Sequence, residues 1–233
     1  MEYTDSYKAF CDRLRINRKL SDYNQAQIAD MLEMTRVEYA NKESGRSMIT
    51  GKDLRIINDL GMDIDQLLVD VKRVNNSQTL LHIIQSYKDK TEREYIKGVI
   101  TEHVLYMCET HSDRLSEDVL RNIKMLRAID KATANDDESI LRCIRDVNGI
   151  TDQMVISEAL GITRYKYSKI ENKKEYPDAM VLIGLYEQYK YLPSIYLDIY
   201  DVQIEILDDI YDCLSKEERD IIVRFVDSLK QFI

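Results

Sequence analysis

Residues 25–45 (QAQIADMLEMTRVEYANKESG) recur 128 positions later as residues 153–173 (QMVISEALGITRYKYSKIENK). Seven of the 21 positions are identical: Gln25/Gln153, Ile28/Ile156, Leu32/Leu160, Thr35/Thr163, Arg36/Arg164, Tyr39/Tyr167 and Glu43/Glu171. An internal repeat outranks every other signal, because it implies two copies of one structural unit in a single chain. The shared apolar residues keep a helical spacing that is broken once, in the middle. The break reads as a turn between two helices. In the second copy Leu160 precedes Gly161, the residue best able to take the left-handed conformation that ends a helix, and Thr163 caps the next one. The first copy has Glu33 in place of Gly161, a less comfortable turn. There Thr35 and Glu38 supply a capping-box pattern that starts the second helix.

Both copies are flanked alike. Amphipathic segments precede them, Ser6 to Lys19 and Ser139 to Val147. Others follow, Leu54 to Leu60 closed by Gly61, and Met180 to Tyr189 after Pro177. With 44% apolar and 32% charged residues, 7 Gly and 2 Pro, the chain has the composition of a folded, mostly helical protein. Its apolar runs are far shorter than the ~20 residues of a membrane span. The start MEYTDSYKAF is neither basic nor apolar, so a cytoplasmic location without membrane attachment is expected. The pattern divides the chain into a first domain at 1–71, a helical spacer at 72–136, a second domain at 137–199 and a C-terminal helical hairpin at 200–233. The polar stretch 131–139 is the best linker candidate.

Each copy resembles the helix-turn-helix domain of Cro and lambda-type repressors, the Xre family. In the second copy the pattern is Gln153, Ile156-Ser157, Leu160-Gly161-Ile162-Thr163, Tyr167-Ser168, Ile170-Glu171 and Pro177. In the first it is Gln25, Ile28-Ala29, Leu32, Met34-Thr35, Tyr39-Ala40, Glu43 and Gly45, with departures at Glu33 and Lys42. The resemblance implies an all-α fold: tandem lambda-repressor-like helix-turn-helix domains joined by a helical spacer, followed by a C-terminal helical segment. It also implies a sequence-specific regulator of the repressor kind whose partner is double-stranded DNA, with no cofactor. Two domains in one chain could read two half-sites per monomer, or give a dimer four reading heads.

The family places the second helix of the motif in the major groove, with the first, second and sixth residues after the cap facing the bases. Here these are Arg36, Val37 and Asn41, and Arg164, Tyr165 and Lys169. Arg can bond guanine bidentately, Asn adenine, and Val can touch a thymine methyl. Gln25 and Gln153 match the family's phosphate-contacting Gln, and Lys166, Lys173 and Lys174 add phosphate partners. Glu43 and Glu171 match a Glu that pairs with an Arg of the domain's first helix, for which Arg15 and Arg145 are suitably placed.

Charge qualifies this reading. The net charge is -9, and residues 200–233 alone carry 4 basic and 9 acidic side chains. Whole-chain acidity opposes nucleic-acid binding, yet a local basic patch suffices. On 163–174 five basic residues oppose only Glu171, whereas Glu38 and Glu43 nearly balance Arg36 and Lys42 in the first copy. The competing reading is a protein-interaction module, an antirepressor, antitoxin or phage-type inhibitor built on the same scaffold.

The remaining residues point to no chemistry. His103 and Cys108 are five apart, off a common helical face, and no metal site is expected. There is no nucleophile-base set and no phosphate loop, so the chain reads as a non-enzyme. Cys11, Cys108, Cys143 and Cys213 read as buried free thiols. Tyr167, Tyr186 and Tyr189 read as core or half-core rings. Thr91 and Glu94 form a capping-box pattern in the spacer, as do Ser215 and Glu218 before the last helix. Ile222, Phe225, Val226 and Leu229 give that helix an apolar face, suited either to a homodimer through 215–233 or to covering the chain's own core.

Overall fold

The computed structural model describes residues 4–71, 80–110, 115–133, 139–199 and 201–229, and among these there are helices and no strands. In chain order the helices are α1 (Asp5–Leu20), α2 (Gln25–Met31), α3 (Arg36–Glu43), α4 (Gly51–Asp59) and α5 (Ile64–Val69). Then come α6 (Leu80–Gln85), α7 (Lys90–Thr110) and α8 (Glu117–Thr133). The second copy comprises α9 (Ile140–Val147), α10 (Gln153–Ala159), α11 (Arg164–Glu171), α12 (Ala179–Tyr189) and a 3-10 turn (Pro193–Tyr196). Last are α13 (Val202–Cys213) and α14 (Lys216–Leu229). The four sequence segments assemble in pairs: 1–73 and 139–199 form one unit, 74–138 and 200–233 another.

In the first unit every helix opens on a residue chosen for that position. Thr4, Asn24, Thr35, Thr50 and Asp63 cap the five helices of the first copy, with reciprocal boxes at Asn24/Gln27, Thr35/Glu38 and Thr50/Asp53. Ser139, Asp152, Thr163 and Asp178 do the same in the second. Each such cap satisfies backbone N–H groups the helix cannot, and contributes about 1 kcal/mol. The apolar faces then close two adjoining cores. Phe10, Leu14, Ile28, Tyr39, Leu54 and Ile57 are fully buried in the first, and Ile144, Ile156, Tyr167, Leu182 and Leu185 in the second. Truncating one such side chain to Ala costs about 2–5 kcal/mol.

The turn inside each motif needs a left-handed residue, and the two copies supply it differently. Gly161 has φ +63° and Glu33 φ +55°, so the first copy carries the backbone strain that its sequence implied. After the third helix the roles reverse: Gly45 has φ +73° and its counterpart Lys173 has φ +55°.

The copies pack on each other through α5, α12 and the 3-10 turn. Asp65, 1% exposed, accepts from Ser194 N at 2.9 Å and Ser194 Oγ at 2.8 Å. Ala179 N donates to Ile49 O at 3.1 Å. Gly51 is required by this approach: a Cβ there would lie 2.5 Å from both the Pro177 carbonyl oxygen and Tyr176 Cβ. Arg55 lies over the Tyr176 ring, 4.7 Å from its centroid, and donates to its hydroxyl.

In the second unit α13 packs along α8, and α14 on α7. Ile222 and Val226 are fully buried within this unit, and Phe225 of the same face is half-buried. Ser215 and Glu218 form the reciprocal cap of α14. The cap expected at Thr91 lies instead at Asp89, whose carboxylate accepts from Thr91 N and Glu92 N at 2.8 and 3.1 Å. A carboxylate two residues earlier reaches both free N–H groups, and α7 accordingly starts at Lys90. His103 stacks on Phe225 with ring centroids 4.4 Å apart. Cys11, Cys108 and Cys143 are buried, whereas Cys213, in the last turn of α13, is exposed. The expected linker lies largely outside the described residues.

Candidate nucleic-acid interface

The third helix of each motif is held by one buried network. In the first copy Arg18 donates to the Glu43 carboxylate from Nε at 2.5 Å and from Nη2 at 3.1 Å. Gln25 Nε2 donates to the Glu43 carboxylate at 2.7 Å and the Tyr39 hydroxyl donates to it at 3.2 Å, while Arg18 Nη1 donates to Tyr23 O at 2.8 Å. In the second copy Arg145 Nε donates to Glu171 at 2.6 Å and its Nη1 to Ile150 O and Thr151 O, both at 3.0 Å. Gln153 and Tyr167 complete it, the latter at 3.3 Å. The same four residue types thus tie the first helix, the following loop, the second helix and the third into one rigid frame.

The pairing expected of Arg15 belongs to Arg18. Arg15 sits about one turn upstream and bonds Asp12 at the surface. Arg18 and Arg145 each lie three residues before their helix C-caps, Ser21 and Asn148. The loop to the next helix is one residue longer in the second copy, four residues (21–24) against five (148–152), which shifts the first helices out of the repeat register. Burial pushes the Glu43 carboxyl up, but the hydrogen bonds from Arg18 and Gln25, the Arg18 charge and the Tyr39 hydroxyl outweigh it and hold the group below its ordinary value. Burial raises the Tyr39 and Tyr167 phenols, and the adjacent Glu adds to it.

Gln25 and Gln153, expected at phosphate, each give one amide N–H to the buried Glu. The second N–H of each amide is still available for an anion.

The groove-facing candidates project from this frame. Arg36 and Val37 are exposed, Val37 by 69%, and Asn41 is half-buried. Arg164 and Tyr165 are exposed, Tyr165 by 72%. An exposed valine and an exposed tyrosine beside exposed arginines, at the start of capped helices, give each helix the mixed apolar and cationic tip that base edges require.

The phosphate candidates divide. Lys173 and Lys174 are exposed just past the end of α11. Lys166 Nζ lies 2.5 Å from Asp178 Oδ2, the cap of α12. Lys169 lies 3.8 Å from Glu175 and sits over the Tyr165 ring, 4.9 Å from its centroid. In the first copy Lys42, which replaces an apolar residue of the family pattern, pairs with Asp53 at 2.5 Å. Glu38 is turned back onto Thr35, whose backbone N–H and hydroxyl keep its carboxyl below the ordinary range. Arg46, the counterpart of Lys174, is exposed as well and belongs with the candidates. The repeat register was the signal that would have found it.

The family model described as a helix-turn-helix domain matches residues 139–202. This segment is a helix-turn-helix domain. No curated protein and no solved structure matches the chain. The helix-turn-helix frame of 139–202 has its geometric counterpart in the first copy, with the same turn, the same Thr cap and the same buried Arg-Glu-Gln-Tyr set. No described helix is long and apolar enough to cross a membrane.

Proposed function

We propose that the chain is a sequence-specific, double-stranded DNA-binding transcriptional regulator of the Xre type, repressor-like, cytoplasmic and non-enzymatic. The observation that carries the reading is the pair of exposed arginines, Arg36 and Arg164, at the first position of two capped recognition helices held in the same buried frame. Arg164, Tyr165 and Lys169 take base edges in the second copy, and Arg36, Val37 and Asn41 in the first. Lys173, Lys174 and the amides of Gln25 and Gln153 take phosphates.

The test is selection of sheared genomic DNA by the purified chain at about 150 mM salt, where weak electrostatic binding is suppressed. Recovery of a recurring duplex motif, lost in an Arg164→Ala, Lys169→Ala variant, supports the reading, and no enrichment at any salt overturns it.

The acids beside Lys166 and Lys169 favour a second reading, in which the same scaffold binds a protein. Charge reversal at Arg164 and Lys169 separates the two, since it abolishes DNA binding but leaves intact a partner complex made through the acidic C-terminal segment.

A further inference from the structure

We infer that the two helix-turn-helix copies form an intrachain pair related by an approximate two-fold axis, so that one chain reads one duplex site composed of two unlike half-sites. The inference rests on the DNA-binding reading above and specifies the kind of site that reading requires.

Its ground is reciprocity of contact. With the offset of 128, Ile49 corresponds to Pro177 and Gly51 to Ala179. Ala179 N donates to Ile49 O at 3.1 Å. The counterpart pair, Gly51 and Pro177, also meets, because a Cβ on Gly51 would lie 2.5 Å from Pro177 O. When residue i meets residue j and their counterparts meet in turn, the interface is isologous, the kind a two-fold axis generates. Helix α5 packs on the 3-10 turn, and these are counterparts too, since residues 64–69 shift onto 192–197. The axis therefore passes between them. Asp65 and Ser194 lock this contact from within the core.

Symmetry is approximate: α12 packs closely on α5, whereas their counterparts, α4 and the 3-10 turn, meet less closely, and a further departure has a clear reason. Helix α1 has 16 residues and α9 has 8. The extra turns of α1 reach α12, where Ser6 Oγ donates to Glu187 at 2.9 Å. The surfaces that would pair two separate domains are thus consumed inside one chain.

The two reading heads share one residue and differ at two. Arg36 and Arg164 are counterparts, as are Val37 and Tyr165, and Asn41 and Lys169. Both half-sites then carry a guanine opposite the Arg. They differ beside it, the first half-site presenting a thymine methyl to Val37 and an adenine to Asn41.

The experiment selects a random duplex library of about 30 base pairs, enough for half-sites one helical turn apart, with the full chain, an Arg36→Ala, Asn41→Ala variant and an Arg164→Ala, Lys169→Ala variant. Arg36 and Arg164 are exposed and Asn41 and Lys169 half-buried on α3 and α11, and circular dichroism checks that both variants keep their helix content. Sedimentation of the selected duplex gives the stoichiometry. The expected result is one chain per duplex and two unlike half-sites at fixed spacing, each variant losing about tenfold preference in a different half. Two identical half-sites with two chains per duplex overturn the inference. So does a single half-site that the Arg36→Ala, Asn41→Ala variant leaves unchanged, though DNA binding itself would then stand. Failure of the full chain to enrich any sequence overturns the DNA-binding reading, and this inference with it.

Discussion

Arg18 and Glu43 meet across the core of the first copy of the repeat through two hydrogen bonds, Nε to Oε1 at 2.5 Å and Nη2 to Oε2 at 3.1 Å. Both side chains are more than nine-tenths buried. Removing one partner leaves an uncompensated charge in the core, at about 3–5 kcal/mol. Arg18→Ala is therefore expected to lower the unfolding free energy by that amount in urea titration. Arg15→Ala, which removes only a surface pair with Asp12, should change it by less than about 0.5 kcal/mol. Equal effects would contradict the assignment.

The same pair gives acid sensitivity with a definite sign. Its partners hold the folded-state Glu43 carboxyl below its ordinary value of 4.5. As pH falls the unfolded chain therefore takes up this proton first. The stabilisation is complete above pH 4.5 and is lost as pH drops through the folded value. Glu43→Gln, which mimics the protonated group, should cost about 1.5–3 kcal/mol at pH 7. Its difference from wild type should shrink below about pH 4. A difference that is flat from pH 7 to pH 3 would remove Glu43 as the cause.

The exchanged glycines predict opposite mutational signs at matching positions. Glu33 and Lys173 occupy left-handed conformations at φ +55°, where glycine carries no Cβ penalty. Glu33→Gly and Lys173→Gly should each stabilise by about 0.5–1 kcal/mol, net of the added chain entropy. Nothing lies within 4 Å of a Cβ added to Gly161, so Gly161→Ala should destabilise by about 1 kcal/mol through the backbone alone. Thermal melts of the three variants check the pattern.

Close approach between the copies makes Gly51 intolerant of any side chain. Gly51→Ala places a Cβ 2.5 Å from backbone and side-chain atoms of Pro177 and Tyr176. The expected cost is about 1–3 kcal/mol, with faster hydrogen exchange at the Ala179 amide, whose bond to Ile49 O crosses the interface.

Asp178 caps α12 and neutralises Lys166 at once. Asn is an equally good cap, so Asp178→Asn should leave stability nearly unchanged. It frees Lys166 for phosphate. DNA binding should tighten at low salt and the slope of log K against log salt should steepen by about one unit. An unchanged slope would show that Lys166 stays clear of the duplex.

The parts of this protein readable along the chain are those set within a few residues. Thr35 and Thr163 cap α3 and α11 because a side-chain oxygen reaches an N–H three residues on, an interaction that depends on no distant segment. The strained turn at Glu33 follows from the same local logic, as does the exposure of Arg36 and Arg164. Helical periodicity likewise foretold the all-helical fold and the buried faces of Ile28, Tyr39, Ile156 and Tyr167.

Long-range partners were different, because they depend on how helices are phased and stacked. The repeat register matches Arg145 to Asn17, and the loop that is one residue shorter in the first copy puts the buried arginine one position later, at Arg18. Lys166 meets Asp178 and Lys169 meets Glu175 because the loop after α11 turns back along that helix. Part of the apolar face of α14, ambiguous as a pattern, packs on α7, with Ile222 and Val226 buried there. Reciprocal packing of two copies 128 residues apart arose from surfaces that carry no periodic signal, since Gly51 beside Pro177 and Asp65 beside Ser194 acquire meaning only where the two backbones meet.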